Sequence, residues 1–560
     1  MNYVGTARPI HDAKGKATGY TKYAGDLSLP NMAYLCMLHS KIPHGYVKAV
    51  HAEKALALPG VYGVYHCLNT SERKYNRYRS SFDQAYLANE ERAFNQYVRF
   101  VGDKIGAVAA CDQETAEKAA RLVEVEYEEL PFSIGFDDTF AGKNCLDGET
   151  PVRDEYTLEV GKKQESTEGL IEVCSTMELP RLHHATMETH ACIADYDPYI
   201  DMLTVYCPNQ AVHGIRTVLA DFLEMPESHV RVVKATMGGS FGAKQEWFLE
   251  PVTALVAKKL CRPVKLVYSR GEAMTDTIVR GAMRMSTRGY YTPDGEMKKI
   301  YCDVTLDAGA YIGNAGDYVR ALAGKPTRCY RIPYMHYHGQ VISSNSPVSG
   351  AFRSWSAAEE ALMMERQLDA AAEKLGMDRL AIRLKNVARS GEEDKKLHLS
   401  LEDIRIGDAI TLGSEKFGWD KLKAEDAAFN ASQQRYRRGV GIGIGGHGNT
   451  YFPRFNDYGA GSISLNADGS MQANFTLHDH GCGTVTAMRM IAAEVLKVPE
   501  DKIYMTEGDT AVTPIDYGCF ASRTTYVVGR AVQDAANALR KKMLHAASEL
   551  LDVPEDELFL

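Results

Sequence analysis

The sequence predicts an α+β protein with a small amino-terminal α/β domain and two larger, elongated mixed domains behind it. Three observations carry that expectation. Runs with the two-residue alternation of strands intermingle with short and long helical stretches along the whole chain. Two polar, turn-rich stretches divide it, one over residues 137–170 and one over 389–396. The 560 residues are 45% hydrophobic and 24% charged, an ordinary globular composition on a chain too long for one compact core.

The first segment opens with strand-like runs at residues 33–38 and 60–65, then a Gly-Asp turn leading into a strand at 104–110. Asp112 suits the N-cap of a helix over 114–121, residues 123–127 alternate as a strand, and Pro131 closes the unit. The amino-terminal domain is therefore set at 1–132, followed by a linker at 133–170. The second domain, 171–388, holds expected strands at 203–206 and 229–233 and helices at 251–260 and 357–375. The third, 389–560, holds expected strands near 439–446, 459–465 and 470–477 and helices near 484–496 and 525–549. No internal repeat of 20–50 residues is present.

Charge and composition exclude several classes. The formal net charge is -9, and no basic block with interleaved aromatics points to nucleic acid. Met1–Gly19 carries no apolar core of a signal peptide, and no later stretch is long and apolar enough to span a bilayer. A soluble, cytoplasmic protein is expected. The 12 cysteines are scattered, with no C-x-x-C pair and no iron–sulfur spacing, so they read as core residues.

Four runs carry the chemistry. Met237 to Gln245 (MGGSFGAKQ) is a glycine-rich strand-to-helix turn whose main chain can approach an anion closely. Ser349 to Ser356 (SGAFRSWS) places Arg353 at a helix entrance, suited to a phosphate or polar heterocycle, with Trp355 able to stack on a planar group. His478 to Thr484 (HDHGCGT) and Tyr517 to Thr524 (YGCFASRT) are small-residue loops before helices. On the residues alone, each run also reads as a structural turn or an ordinary helix cap.

Three alternatives are weaker. Gly441 to Gly446 spells G-x-G-x-x-G, but Val440, Ile442 and Ile444 alternate like a strand and no helix follows. His183, His184 and His190 lack H-E-x-x-H and read as structural. Gly238-Gly239-Ser240-Phe241-Gly242 spells G-x-S-x-G without an acid and histidine to complete a triad.

Taken together, the four runs resemble the large molybdopterin-binding subunit of the xanthine dehydrogenase and aldehyde oxidoreductase family. Gly15 to Gly19 with Tyr23 to Asp26, Val101 to Pro131, Met187-Glu188-Thr189 and Asn209-Gln210 are similar to further family motifs in the same order. The resemblance implies a hammerhead-like α/β domain first, then two molybdopterin-binding domains. It implies molybdenum on a pyranopterin, expected as the cytosine dinucleotide, with no side chain ligating the metal. The reaction implied is oxidation of a purine-like N-heterocycle or an aldehyde with water as oxygen source. Electrons would leave through partner subunits bearing [2Fe–2S] clusters and FAD.

By position, the resemblance implies that Gln210 and Arg353 serve the reaction. Gly239, Phe241, Gly242, Arg353, Gly481, Cys482, Ala521, Ser522 and Thr524 would hold the cofactor. Gln245, Trp355 and Phe520 would face substrate. Two departures are plain: Gln245 replaces the glutamate of purine-oxidising members, and Cys482 replaces a cofactor-contacting glutamine. The family's catalytic glutamate lies in a "G-E" motif beyond the Ala-Ser loop. No such motif follows here, and Glu549, Glu555 and Glu557 read as solvated. A separate carboxy-terminal molybdopterin-domain chain, or an incomplete sequence, is the expectation; a non-catalytic cofactor-binding scaffold is the alternative function.

Overall fold

In this computed structural model the described residues are 3–78, 87–142, 146, 150–163, 166–432, 435–449 and 456–558. Cys145, one of the 12 cysteines, and Gly148, in the polar stretch over 137–170, lie outside them.

The strands expected at the amino terminus form as Ala33–His39, Val61–His66, Lys104–Ala110 and Glu124–Glu129. The helix between the last two is Gln113–Ala120, and the Asp112 carboxylate accepts the Thr115 N–H at 2.7 Å. Three of these strands do not make a sheet of their own. A seven-stranded sheet runs in the order Val230–Lys234, Met202–Cys207, Ala191–Asp197, Val264–Val267, Ala33–His39, Lys104–Ala110, Val61–His66. The seam is a parallel pairing, Ala33 opposite Val264 and Leu35 opposite Leu266. The expected boundary at 132 thus divides the chain but not this sheet. Helices Val212–Leu223 and Glu250–Leu260 bury their apolar faces with it, around Val205, Val232, Leu266, Trp247 and Phe248.

A five-stranded sheet runs Ile171–Leu179, Ala282–Tyr291, Met297–Asp307, Tyr334–Ile342, Val152–Gly161. Its last strand corrects the expected linker. Val152–Gly161 pairs antiparallel with Tyr334–Ile342 at the sheet edge, and the short helix Phe136–Phe140 precedes it. Polar residues between Tyr156, Leu158 and Val160 hide a half-buried strand, since an edge strand buries only one face. The long helix Ala357–Leu375 covers the sheet with Met363, Met364, Leu368 and Ala371.

The last region is a three-stranded sheet, Gly461–Leu465, Met471–Phe475 and Ile503–Thr506, packed by helices Thr484–Leu496 and Gly529–Leu551 around Phe475, Met488 and Val532. Tyr3 joins this core from the opposite end of the chain, and its N–H donates to Glu494 at 2.6 Å. Residues 439–446, expected as a strand, form none. Ile442 and Ile444 do pack on the second core, but among the described residues none pairs with them in a ladder. No described helix is long and apolar enough to cross a membrane.

Candidate active site

The four glycine- and serine-rich runs sit where sheets and helices meet, and hydrogen bonds tie them to one another. Gln210, between strand Met202–Cys207 and helix Val212–Leu223, is the hub. Its side-chain carbonyl accepts the Ser240 hydroxyl, and its amide donates to the Cys519 carbonyl. The Arg353 N–H donates to the Phe241 carbonyl at 2.8 Å, joining the second run to the first. The third run meets helix Val212–Leu223 through His478, whose Nε2 accepts the Val212 N–H at 3.3 Å.

Backbone conformation marks the same loops. Phe241, Ser354, Trp355, Ser356, Ala521 and Ser522 all have positive φ, between 36° and 83°. Each such non-glycine position costs of order 1–3 kcal/mol and persists only where the surroundings hold it. The holding groups are visible. Lys325 Nζ donates to the Trp355 carbonyl and to Ser356 Oγ, and Arg280 donates to the Arg353 carbonyl at 2.7 Å. Gly242 is required as glycine twice over: its φ is +107°, and a Cβ there would meet the Ala351 carbonyl oxygen at 2.6 Å.

A ring of buried polar groups buttresses the first run. Glu188 accepts the Gly238 N–H at 2.7 Å and the buried Lys244 ammonium at 2.5 Å. His190 donates through Nε2 to the Ala243 carbonyl at 3.0 Å, and His184 to the Ala351 carbonyl at 2.8 Å. A carbonyl can only accept, so both rings carry the proton at Nε2. Burial pushes the pKa of His190 down to about 3 and of His184 down to about 4, so both are neutral. Glu246 accepts the Ala351 N–H at 3.2 Å, and burial pushes its carboxyl up to about 8.

The fourth run hangs on Arg523. This fully buried guanidinium reaches Asp516 at 2.8 Å, Asp457 at 2.8 Å, the Tyr458 carbonyl at 2.6 Å and the Gly518 carbonyl at 3.1 Å. In the third run the Asp479 carboxylate accepts the N–H groups of Gly481 at 2.8 Å and Val485 at 3.2 Å. Burial pushes that carboxyl up, but these donors outweigh it and hold it below its ordinary value.

The residues expected to serve cofactor and substrate divide by accessibility. Phe241, Arg353, Gly481, Cys482 and Ser522 are exposed, while Gln210, Gly242 and Thr524 are buried. Gly239, Gln245, Trp355, Phe520 and Ala521 are intermediate. Trp355 packs on Tyr318 with ring centroids 4.9 Å apart and lies near-parallel to Tyr78 at 6.2 Å, so much of its surface serves packing. The Gln245 N–H closes a turn on the Gly242 carbonyl at 3.2 Å.

These loops fit an anionic, hydrogen-bond-accepting cofactor. Among the described residues, the main-chain N–H groups of Gly239, Phe241, Ala521 and Ser522 donate to no protein acceptor. The exposed Arg353 guanidinium has no carboxylate partner among them either. Unspent donors on strained loops are what such a ligand recruits. Sequence reasoning missed the buttress: Lys244 and Arg523 lie inside the quoted runs and Glu246 one residue past the first, but only the fold shows them buried and hydrogen-bonded.

Known proteins share this architecture. A profile for the molybdopterin cofactor-binding domain matches residues 149–387, and a second of the same description matches 412–560. The aldehyde oxidase and xanthine dehydrogenase a/b hammerhead domain matches 18–131. The xanthine dehydrogenase molybdenum-binding subunit of Escherichia coli O157:H7 is 30% identical over 96% of this chain and 72% of its own length. The carbon monoxide dehydrogenase large chain of Hydrogenophaga pseudoflava is 30% identical over 96% and 71%. In fold, the quinoline 2-oxidoreductase of Pseudomonas putida 86 superposes with a TM-score of 0.89 at 23% identity, covering 100% of this chain and 73% of that one. The aldehyde oxidoreductase of Desulfovibrio gigas gives 0.85 at 25%, covering 99% and 62%. With three consecutive domain matches and relatives at this identity over most of both lengths, the chain belongs to the xanthine dehydrogenase and aldehyde oxidoreductase family, as a molybdopterin-binding subunit of its molybdenum hydroxylases.

Proposed function

We propose that this chain binds molybdopterin, as its cytosine dinucleotide, and oxidises an N-heterocycle or an aldehyde in a complex whose other subunits carry FAD and [2Fe–2S] clusters. The observation that carries the reading is the set of unspent N–H donors at Gly239, Phe241, Ala521 and Ser522 on loops held together by Gln210. Gly239, Phe241 and Gly242 would hold the cofactor from one side. Gly481, Cys482, Ala521, Ser522 and Thr524 would hold it from the other.

When bound, the molybdenum centre supplies two-electron oxidation with water as the oxygen source. The chain's own residues orient and stabilise. Arg353 offers a delocalised cation at the exposed mouth of its loop, able to bind a cofactor phosphate or a polar heterocycle. Gln210 acts as a positioning residue, since both ends of its amide are spent on Ser240 and Cys519. Phe520 and the half-buried Trp355 favour a flat ring, and Gln245 supplies an uncharged amide toward substrate. Names among the relatives point the same way, to xanthine, nicotinate and nicotine.

Elemental mass spectrometry of protein purified anaerobically from its native host tests the reading. About one molybdenum per chain is expected, with product oxygen drawn from labelled water during turnover of a heterocycle or aldehyde. A well-folded native preparation without molybdenum overturns it.

A further inference from the structure

Beside the glycine-rich run lies a small internal cavity of about 10 Å³, lined by His190, Asn209, Lys244, Glu246, Phe248 and Glu250 among others. Every residue that lines it is buried. Two of these side chains carry a buried polar atom without a hydrogen-bond partner, Nδ1 of His190 and Oε2 of Glu246. Their chemistry is complementary. His190 gives its one N–H, at Nε2, to the Ala243 carbonyl, so Nδ1 is a bare acceptor. Glu246 accepts the Ala351 N–H through Oε1. Burial raises this carboxyl to about 8, so at neutral pH it keeps its proton and Oε2 is a donor. Asn209 adds a second donor: one amide N–H goes to the Glu246 carbonyl at 3.2 Å, and the other is left to offer.

We propose that this cavity is a binding site for a single water molecule, which accepts from Glu246 and Asn209 and donates to Nδ1 of His190. The volume is about that of one water-sized sphere, too small for a second molecule or for any organic ligand. Three polar partners are the usual complement of a buried water. A monovalent cation of similar size suits the space less well. Burial first, and then the charge of Lys244, hold His190 neutral. Lys244 lines the same cavity and disfavours a second positive charge there.

The water completes a chain of contacts. From the Ala243 carbonyl through His190, the water and Glu246 to the Ala351 N–H, it joins the glycine-rich run to the run that carries Arg353. This route is separate from the bond between the Arg353 N–H and the Phe241 carbonyl. The spacing of the two loops is thereby held from their buried side. Any effect on cofactor binding rests on the function proposed above, but the water site itself does not.

Crystals of the full chain, grown with and without molybdenum, test the proposal in a map fine enough to place single waters. One peak of a water's density is expected in both, within hydrogen-bond distance of Glu246 Oε2 and His190 Nδ1. Glu246→Gln, which keeps a donor, should retain the peak, and Glu246→Leu should lose it. The wild-type and Glu246→Gln maps decide the matter if Glu246→Leu does not fold. Three results overturn the proposal: an empty cavity, a direct bond between Glu246 and His190 that closes it, or a peak that gains anomalous signal in rubidium chloride. A peak that survives in Glu246→Leu does so as well. Because the peak is read in molybdenum-free chain too, failure of the cofactor reading would leave this result standing.

Discussion

Gln210 and Cys519, 309 residues apart in the sequence, hold each other through two hydrogen bonds. The Cys519 N–H donates to the Gln210 main-chain carbonyl at 2.9 Å, and the Gln210 amide donates to the Cys519 carbonyl. Gln210→Ala strands the buried Ser240 hydroxyl and the Cys519 carbonyl, at a cost of about 1–3 kcal/mol each. Chemical denaturation should show that loss, and molybdenum retained per chain should fall with it. Unchanged stability would mean water replaces the amide.

The two cradle glycines Gly242 and Gly481 separate strain from collision. Both have φ above +100°, but an added Cβ meets the Ala351 carbonyl oxygen at 2.6 Å in the first and open space in the second. Gly481→Ala should therefore cost about 1 kcal/mol, from backbone conformation alone. Gly242→Ala should cost clearly more and displace Arg353, whose N–H is bonded to Phe241 next door. Equal denaturation midpoints for the two variants would refute the collision.

Arg523 holds its loop by four separate anchors, so shortening its reach should be felt. Arg523→Lys keeps the charge but cannot serve Asp457, Asp516 and two carbonyls at once. A loss of about 3–5 kcal/mol is expected, the amount typical for breaking a buried ion pair. Thermal melting measures it. Hydrogen exchange should show the 516–524 region opening first.

Glu246 makes stability depend on pH between about 4.5 and about 8. Burial raises its folded carboxyl to about 8, above the ordinary glutamate value of 4.5. Across that window the unfolded chain has lost the proton and the folded chain retains it, so stability falls as pH rises and levels off above about 8. Glu246→Gln should flatten this limb by an amount on the order of a few kcal/mol, read as melting temperature from pH 5 to 9. Glu250 and Glu360, raised to about 7 and about 8, contribute in the same direction and keep the limb from vanishing.

The acid limb belongs to the neutral histidines. Burial depresses His184 and His190 to about 4 and about 3, below the ordinary histidine value of 6.5. Their neutral forms contribute stability that is full above pH 6.5 and is lost as the unfolded chain takes up protons toward pH 4. His190→Gln keeps a donor for the Ala243 carbonyl without a titrating ring. Its melting temperature should fall less steeply than the wild type's between pH 6.5 and 4.

Much of this molecule is legible in its sequence. The helix Ala357–Leu375 could be read to the residue, because its apolar spacing is long and Gly376 stops it. The strands near Ala33, Lys104 and Val230 show in the same way, as buried runs ending at turns. Residues 439–446 failed because alternation reports a face to bury, not a partner to pair with. Val152–Gly161 was hidden because its outer face is polar. In the site, the exposed loops are legible through their glycines and serines. Lys244, Glu246, His190 and Arg523 are not, because burial and pairing arise from residues far away in sequence.

The parallel seam between Ala33–His39 and Val264–Val267 has a consequence for synthesis. The first strand emerges from the ribosome more than two hundred residues before its neighbour on that side. Until then its ladder groups on that edge stay unpaired, an invitation to wrong partners. On its other side Lys104–Ala110 can pair early. The amino-terminal region is thus expected to wait as a half-finished sheet, needing a chaperone or slow elongation to protect it until residue 267 appears.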